Sequence, residues 1–203
     1  MLSLKYEKRL SRQGFNLIAG IDEAGRGPLA GPIVAAAVIL PLVVNLPGLD
    51  DSKKLSPQKR EKLYSLIKEK ALNIGVAVLS HKLIDKLGVG KVNRLVMQEA
   101  FRNLKLKPDY ILLDGKYSWI ETSIPQKPIT GGDHMIASIA AASIIAKVTR
   151  DRIMQKYHNS YPAYGFDKHK GYGTREHMKK LLICGPCPIH RRSFAPLSIL
   201  NQV

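Results

Sequence analysis

Acid, cysteine and long apolar runs are all scarce in this chain of 203 residues. Its 16 Asp and Glu stand against 32 Lys and Arg, for a formal charge of +16 at pH 7. Such an excess of base favours a polyanionic partner, because basic surface attracts phosphate and releases counterions from nucleic acid. A soluble basic protein without such a partner would have the same composition, so charge alone goes no further. The two cysteines are too few for a good zinc site, even with His190 close by. They form Cys184-Gly185-Pro186-Cys187, which has the spacing of a thioredoxin-type redox site. A reactive thiolate needs the positive end of a helix dipole, whereas this pair follows the helical pattern of 174–182. A Gly-Pro helix stop with incidental cysteines is the expected reading. The longest apolar stretch, 136–146, runs to 11 residues and is broken by Ser138 and Ser143. A membrane span needs about 18 or more, so a buried helix is expected there. Residues 1–14 are polar and basic, without the apolar core of a signal peptide, and a cytoplasmic protein is expected.

What is present is enough for a core. Hydrophobic residues make up 45% of the chain, which argues against disorder, and no repeat, low-complexity tract or long linker divides it. One domain over 1–203 is expected. The apolar runs 17–22 and 33–40 read as two buried strands joined by a glycine-rich loop into a hairpin. Ser56-Pro57 opens a helix through Lys70, with Ser as N-cap and Pro at the first position. Residues 74–79 give a third strand, 85–104 a helix interrupted near its start by Gly88 and Gly90, and 110–113 a fourth strand. A loop with one short strand occupies 118–130. A long helix rich in small residues runs from His134 to about Tyr157. Beyond it, Tyr161, Tyr164, Phe166 and Tyr172 alternate with Lys168, His169, Lys170, Arg175 and His177. The whole reads as an α/β domain with its strands first and a helical C-terminal third.

In so basic a chain, acids at strand ends need a reason. Asp22 and Glu23 close the first strand, Asp114 closes the fourth, and Asp133 precedes the long helix. Divalent cations with oxygen ligands provide one, since two such ions about 3.5–4 Å apart activate water and offset charge on a leaving phosphate oxygen. Each acid also has a plainer reading. Asp133 suits a helix cap and Asp114-Gly115 a turn. Neighbouring side chains in a strand point to opposite faces, so either the strand ends at Asp22 or the longer Glu23 reaches around. The loop Gly25-Arg26-Gly27-Pro28-Leu29-Ala30-Gly31 has the wrong spacing and too much proline for a dinucleotide site. A glycine loop beside metal-binding acids can instead press its backbone against a sugar and read a 2′-hydroxyl. A basic binding protein without activity and a metal-dependent nuclease acting on DNA are the competing readings.

Seven motifs bear on that choice: Ile21-Asp22-Glu23-Ala24-Gly25-Arg26-Gly27 with Gly31-Pro32; Asp51-Ser52-Lys53-Lys54-Leu55-Ser56; Leu113-Asp114-Gly115; Gly132-Asp133; Ala141-Ala142-Ser143-Ile144-Ile145-Ala146-Lys147-Val148 with Arg150-Asp151; His169-Lys170-Gly171-Tyr172-Gly173-Thr174; and Pro188-Ile189-His190-Arg191. In this order they resemble bacterial ribonuclease HII over nearly the whole chain, and Gly-Arg-Gly stands where the related type HIII enzymes have Gly-Lys-Gly. The resemblance implies a ribonuclease H-like fold, a mixed central β-sheet flanked by helices. It implies cleavage of RNA in RNA–DNA hybrids and 5′ of single ribonucleotides in duplex DNA, as in ribonucleotide excision repair; a monomer is expected. The products would be 3′-hydroxyl and 5′-phosphate ends, formed with two ions of Mg²⁺ or Mn²⁺. By motif, Asp22, Glu23, Asp114 and Asp133 take the metal-binding positions, and Gly25, Arg26, Gly27 and Tyr172 those that touch the 2′-hydroxyl sugar. Lys53 and Lys147 are carried over as phosphate or acid-cluster contacts. Asp151 either supports the site or pairs with Arg150 or Lys147. The chain departs from the family pattern at 81–107, where Gly88-Val89-Gly90 interrupts a helical stretch. Gln202-Val203 is too short to read as a sliding-clamp-binding tail.

Overall fold

The computed structural model describes residues 2–195 and 197–200, which leaves Gln202-Val203 outside it. After helix α1 (Lys5–Ser11), the two apolar runs around the glycine loop form strands β1 (Ile18–Ala24) and β2 (Ile33–Ile39), paired antiparallel as the expected hairpin. Helix α2 (Pro57–Lys70) begins as its sequence requires, with the Ser56 hydroxyl accepting the Lys59 amide and Pro57 in the first turn. It leads into strand β3 (Asn73–Leu79), antiparallel to β2.

The next segment forms two helices where one interrupted helix is expected. Helix α3 (His81–Leu87) stops at Gly88, whose φ of +80° ends one helix and starts the next, α4 (Val89–Arg102). Strands β4 (Tyr110–Asp114) and β5 (Gln126–Ile129) complete a five-stranded mixed sheet in the order β3-β2-β1-β4-β5, with β1, β4 and β5 parallel. A 3₁₀ turn (Gly132–His134) then separates the sheet from helix α5 (Ala137–Ser160). The long helix therefore starts three residues later than expected. Its N-cap is Ile136, so Asp133 is not a helix cap.

Both faces of the sheet are covered, which is why every residue of β2 is buried. Val34, Ala36 and Val38 pack against α2 and against Ile144 and the small residues Ala137, Ala140 and Ala141 of α5. The alternate residues Ile33, Ala35 and Ala37 meet Val92, Val96, Met97 and Ala100 of α4. The chain then folds back through α6 (Phe166–His169), α7 (Arg175–Cys184) and α8 (Leu197–Leu200). Phe166 of α6, Leu181 of α7, and Tyr164 and Ile189 of the connecting segments gather around Met154 of α5 and Leu29 and Ala30 of the glycine loop. The C-terminal third is thus built onto the loop that adjoins the acids. Among the described residues no helix is long and apolar enough to cross a membrane.

Candidate active site

Strand register brings the first acids together. In the parallel pair β1–β4, Ile21 is matched with Leu113, so the next residues, Asp22 and Asp114, come side by side at the strands' C-terminal ends. Strand β1 does not end at Asp22. It continues through Glu23 to Ala24, and the longer Glu23 side chain still reaches the same cleft. That cleft is lined by Asp22, Glu23 and Asp114, by Gly25, Arg26 and Gly27, by Lys53 and Lys147, by Ser52 and Ser143, and by Tyr172. Nine of the ten residues that the motifs point to share this one space.

The tenth, Asp133, lies at its edge. It sits on the 3₁₀ turn, nearly fully buried, with its carboxylate 3.0 Å from the Lys53 ammonium. The amide of Gly132 donates to Asp114 at 2.8 Å, which ties the turn to the end of β4. Asp51, Asp133 and His134 form a tighter group, with one ligand atom from each lying within 4.8 Å of the others. Asp133 therefore faces two neighbourhoods, the cleft through Lys53 and this triad through His134.

Burial and crowding raise the proton affinity of the acids. Asp22 is held well above the usual carboxylate range, first by burial and then by the charges of Glu23 and Asp114. Burial lifts Glu23 to about 7 against the pull of Arg26, whose guanidinium lies 3.7 Å away. Asp114 is raised by burial and by the charge of Asp133. Three oxygen-donor side chains that repel one another in one cleft form the donor set a hard divalent cation takes.

The basic residues differ in role. Lys147 hydrogen-bonds Asp151 at 2.7 Å, one turn along α5, while Arg60 approaches the other oxygen of Asp151 at 3.8 Å. Asp151 is thus an ion-pair partner of the helix, outside the acid cleft. Tyr172, 43% exposed as a residue, stands at the rim, with the Lys147 ammonium 5.8 Å from the centre of its ring.

A sequence profile of the family described as ribonuclease HII matches residues 19–197. The chain belongs to the ribonuclease HII family. It is accordingly a ribonuclease H, a hydrolase of the RNA strand in RNA–DNA hybrids. A ribonuclease HII of Geobacter metallireducens is 53% identical over 189 residues, which cover 93% of this chain and 88% of that relative. The crystal structure of ribonuclease H2 from Pyrococcus horikoshii OT3 superposes with a TM-score of 0.78 at 28% identity, covering 91% of this chain and 97% of that one. Bst-RNase HIII, solved in complex with Mn²⁺, shares the fold at a TM-score of 0.70 and 19% identity, over 92% of this chain and 70% of its own.

Several polar residues of this ribonuclease HII site carry no role in the sequence reading. Ser143 lines the cleft with Asp22, and its hydroxyl lies 2.9 Å from that of Ser52. Both sit inside quoted motifs, and a serine within an alanine-rich helix was the available signal. Asp51 and His134 are likewise beside named residues. The Cys184-Gly185-Pro186-Cys187 segment ends α7, as the helix-stop reading expects. Cys184 is exposed and Cys187 is buried against His190, with Sγ to Nδ1 at 3.1 Å. Among the described residues these three form no group able to converge on an ion.

Proposed function

We propose that this ribonuclease H also recognises a single ribonucleotide in duplex DNA and cuts on its 5′ side, leaving 3′-hydroxyl and 5′-phosphate ends. In this reading Asp22, Glu23, Asp114 and Asp133 hold two divalent ions, Mg²⁺ or Mn²⁺, and Gly25, Arg26, Gly27 and Tyr172 read the 2′-hydroxyl. The single observation that carries it is the cleft itself, where side-by-side carboxylates on β1 and β4 open directly onto a glycine loop and an exposed tyrosine. Ions of this class, when bound, make a hydroxide available at neutral pH and offset charge on the leaving oxygen. The Mn²⁺ in Bst-RNase HIII is consistent with that donor chemistry.

The chain's own residues do the rest. Asp22 is fixed by the amide of Glu23 at 2.7 Å, so its carboxylate is oriented before substrate arrives. Lys53 ties Asp133 to the cleft. Basic residues of α1, α2 and α5 hold the duplex through its phosphates, which positions it without reading sequence. The 2′-hydroxyl is read and is not the nucleophile.

The two outer glycines of the loop differ in a way that supports ribose reading. Gly25 has φ of +103°, and a Cβ there would lie 2.3 Å from the Arg150 side chain, so the fold itself requires glycine. A Cβ on Gly27 would meet nothing within 4 Å. Only an approaching ligand would feel it. Gly27→Ala is therefore expected to leave thermal stability unchanged and to raise KM for a one-ribonucleotide duplex by about tenfold, roughly 1.4 kcal/mol. Steady-state kinetics with a melting curve on the same preparation check this, and an unchanged KM removes Gly27 from the sugar contact.

The decisive test is a duplex with one ribonucleotide, incubated with and without Mg²⁺ beside an all-DNA control. Cleavage that requires metal and ribose and leaves 3′-hydroxyl ends supports the reading. Cyclic 2′,3′-phosphate ends, or cutting of the all-DNA control, would overturn it.

A further inference from the structure

Two arginines lie fully buried beneath the glycine loop, Arg150 from α5 and Arg191 from the segment after α7. Each is surrounded by backbone carbonyls. Arg191 donates to Gly25 at 2.6 Å, Arg26 at 2.9 Å, Gly31 at 2.9 Å and Pro32 at 3.1 Å. Arg150 donates to Ala30 at 3.1 Å, Pro32 at 3.0 Å and Lys170 at 3.0 Å. Burying a cation is costly unless something specific is gained, and an apolar side chain of similar volume would fill the same space with less desolvation. The crowding is visible in Arg191, whose pKa burial and the neighbouring Arg150 push down to about 9.

What the loop gains is orientation. A trans peptide is planar, with its C=O and N–H pointing in opposite directions. The carbonyls of Gly25 and Arg26 are turned inward onto Arg191, so the N–H groups of Arg26 and Gly27, in those same peptides, point away from the core. These residues line the cleft, and among the described residues the two amides have no backbone acceptor. Arg150 adds the second half of the arrangement. It binds the carbonyl of Lys170, lies 5.8 Å from the centre of the Tyr172 ring, and holds Ala30 and Pro32 at the far end of the glycine loop. The Leu29 amide donates to Gly171 at 2.8 Å and closes the same seam.

We propose that Arg191 is a positioning residue for ribose discrimination, presenting the Arg26 and Gly27 amides to the sugar, with Arg150 fixing their distance from Tyr172. The inference deepens the proposed function and rests on it. Arg191 touches no substrate. Its segment is anchored from outside by Asp85 of α3, which accepts the amides of Arg192 and Ser193 at 3.0 Å each and the Ser193 hydroxyl at 2.6 Å.

The test compares wild type, Arg191→Lys and Asp85→Ala. Arg191→Lys keeps the charge and loses the planar fork, because an ammonium cannot serve four carbonyls in the guanidinium geometry. Asp85→Ala leaves the buried cation intact and loosens its segment from the surface. For each protein, KM on a one-ribonucleotide duplex is set against the inhibition constant of an all-DNA duplex of the same sequence. The ratio of the second to the first is expected to fall about tenfold in Arg191→Lys and about threefold in Asp85→Ala, with the all-DNA constant within about twofold of wild type. A parallel rise in both constants, or an unchanged ratio, overturns the inference. If far-UV circular dichroism shows that Arg191→Lys does not fold, the ratio in Asp85→Ala decides alone. Wild type that fails to cut the ribonucleotide duplex would overturn the proposed function instead, before either variant is compared.

Discussion

Asp22→Asn is expected to abolish cleavage and, in the same protein, to raise the melting temperature measured without metal. The two effects have one cause. Asp22 is buried between the charges of Glu23 and Asp114, and its carboxylate is disfavoured by both desolvation and repulsion. Asparagine keeps an oxygen to accept the Glu23 amide, now made at 2.7 Å, and removes the charge. Folding of the metal-free chain no longer works against that repulsion, and each kcal/mol relieved should move the transition up by about 2–4 °C in a protein of this size. Cleavage should fall by on the order of 10²–10³-fold or more, the scale seen when one electrostatic stabiliser is removed from an active site. Differential scanning calorimetry and a single-turnover assay on one preparation give both numbers. Lost activity with a lowered melting temperature would make Asp22 a structural residue, and retained turnover would take it out of the proposed metal site. The expected combination is what an active site held at the expense of stability produces.

The local pieces of this arrangement are legible in the sequence, and their juxtaposition is only partly so. The apolar runs of β1, β2 and β4 and the Ser56-Pro57 start of α2 follow from side-chain chemistry within a few residues. The pairing of Ile21 with Leu113 does not, because it depends on a parallel register between strands separated by three helices and two other strands. Motif order groups Asp22, Glu23 and Asp114 where periodicity cannot, and the structure sets them near the end of β1 and at the end of β4. Asp133 shows the limit of local reasoning. An acid just before a helical pattern reads as a cap, yet the 3₁₀ turn shifts α5 onward and leaves that carboxylate facing Lys53. Gly88 splits a stretch that reads as one helix, because its positive φ is a property of the packed chain. Arg150 and Arg191 are least legible. Arginine is expected at the surface, and only the folded structure shows backbone carbonyls of Gly25, Arg26, Ala30, Gly31, Pro32 and Lys170 gathered around two buried guanidiniums.

Gly20→Ala is expected to destabilise the protein by more than its one added methyl suggests. Gly20 lies in the middle of β1, flanked by Val38 of β2 and Leu112 of β4, with Ser138 of α5 across from it. A Cβ at this position would stand 2.2 Å from the Ser138 carbonyl carbon and 2.4 Å from the Ile139 nitrogen, both backbone atoms. No rotamer change relieves a clash with backbone, so β1 and the first turn of α5 must separate. Overpacking commonly costs about 1–3 kcal/mol, and this substitution belongs at or above the top of that range. The displacement also reaches the site, since Asp22 follows two residues later on the same strand and shares its cleft with Ser143 of the same helix. A lowered urea midpoint should therefore be accompanied by a lowered kcat under conditions where the variant is still folded. Gly90→Ala is the matched control. Gly90 lies in α4, where a Cβ would meet nothing within 4 Å and φ is not positive, so alanine should stabilise the helix by about 0.5–1 kcal/mol. Its kcat should be unchanged. Should Gly20→Ala behave like Gly90→Ala, the close approach of β1 to α5 does not hold the first carboxylate in place.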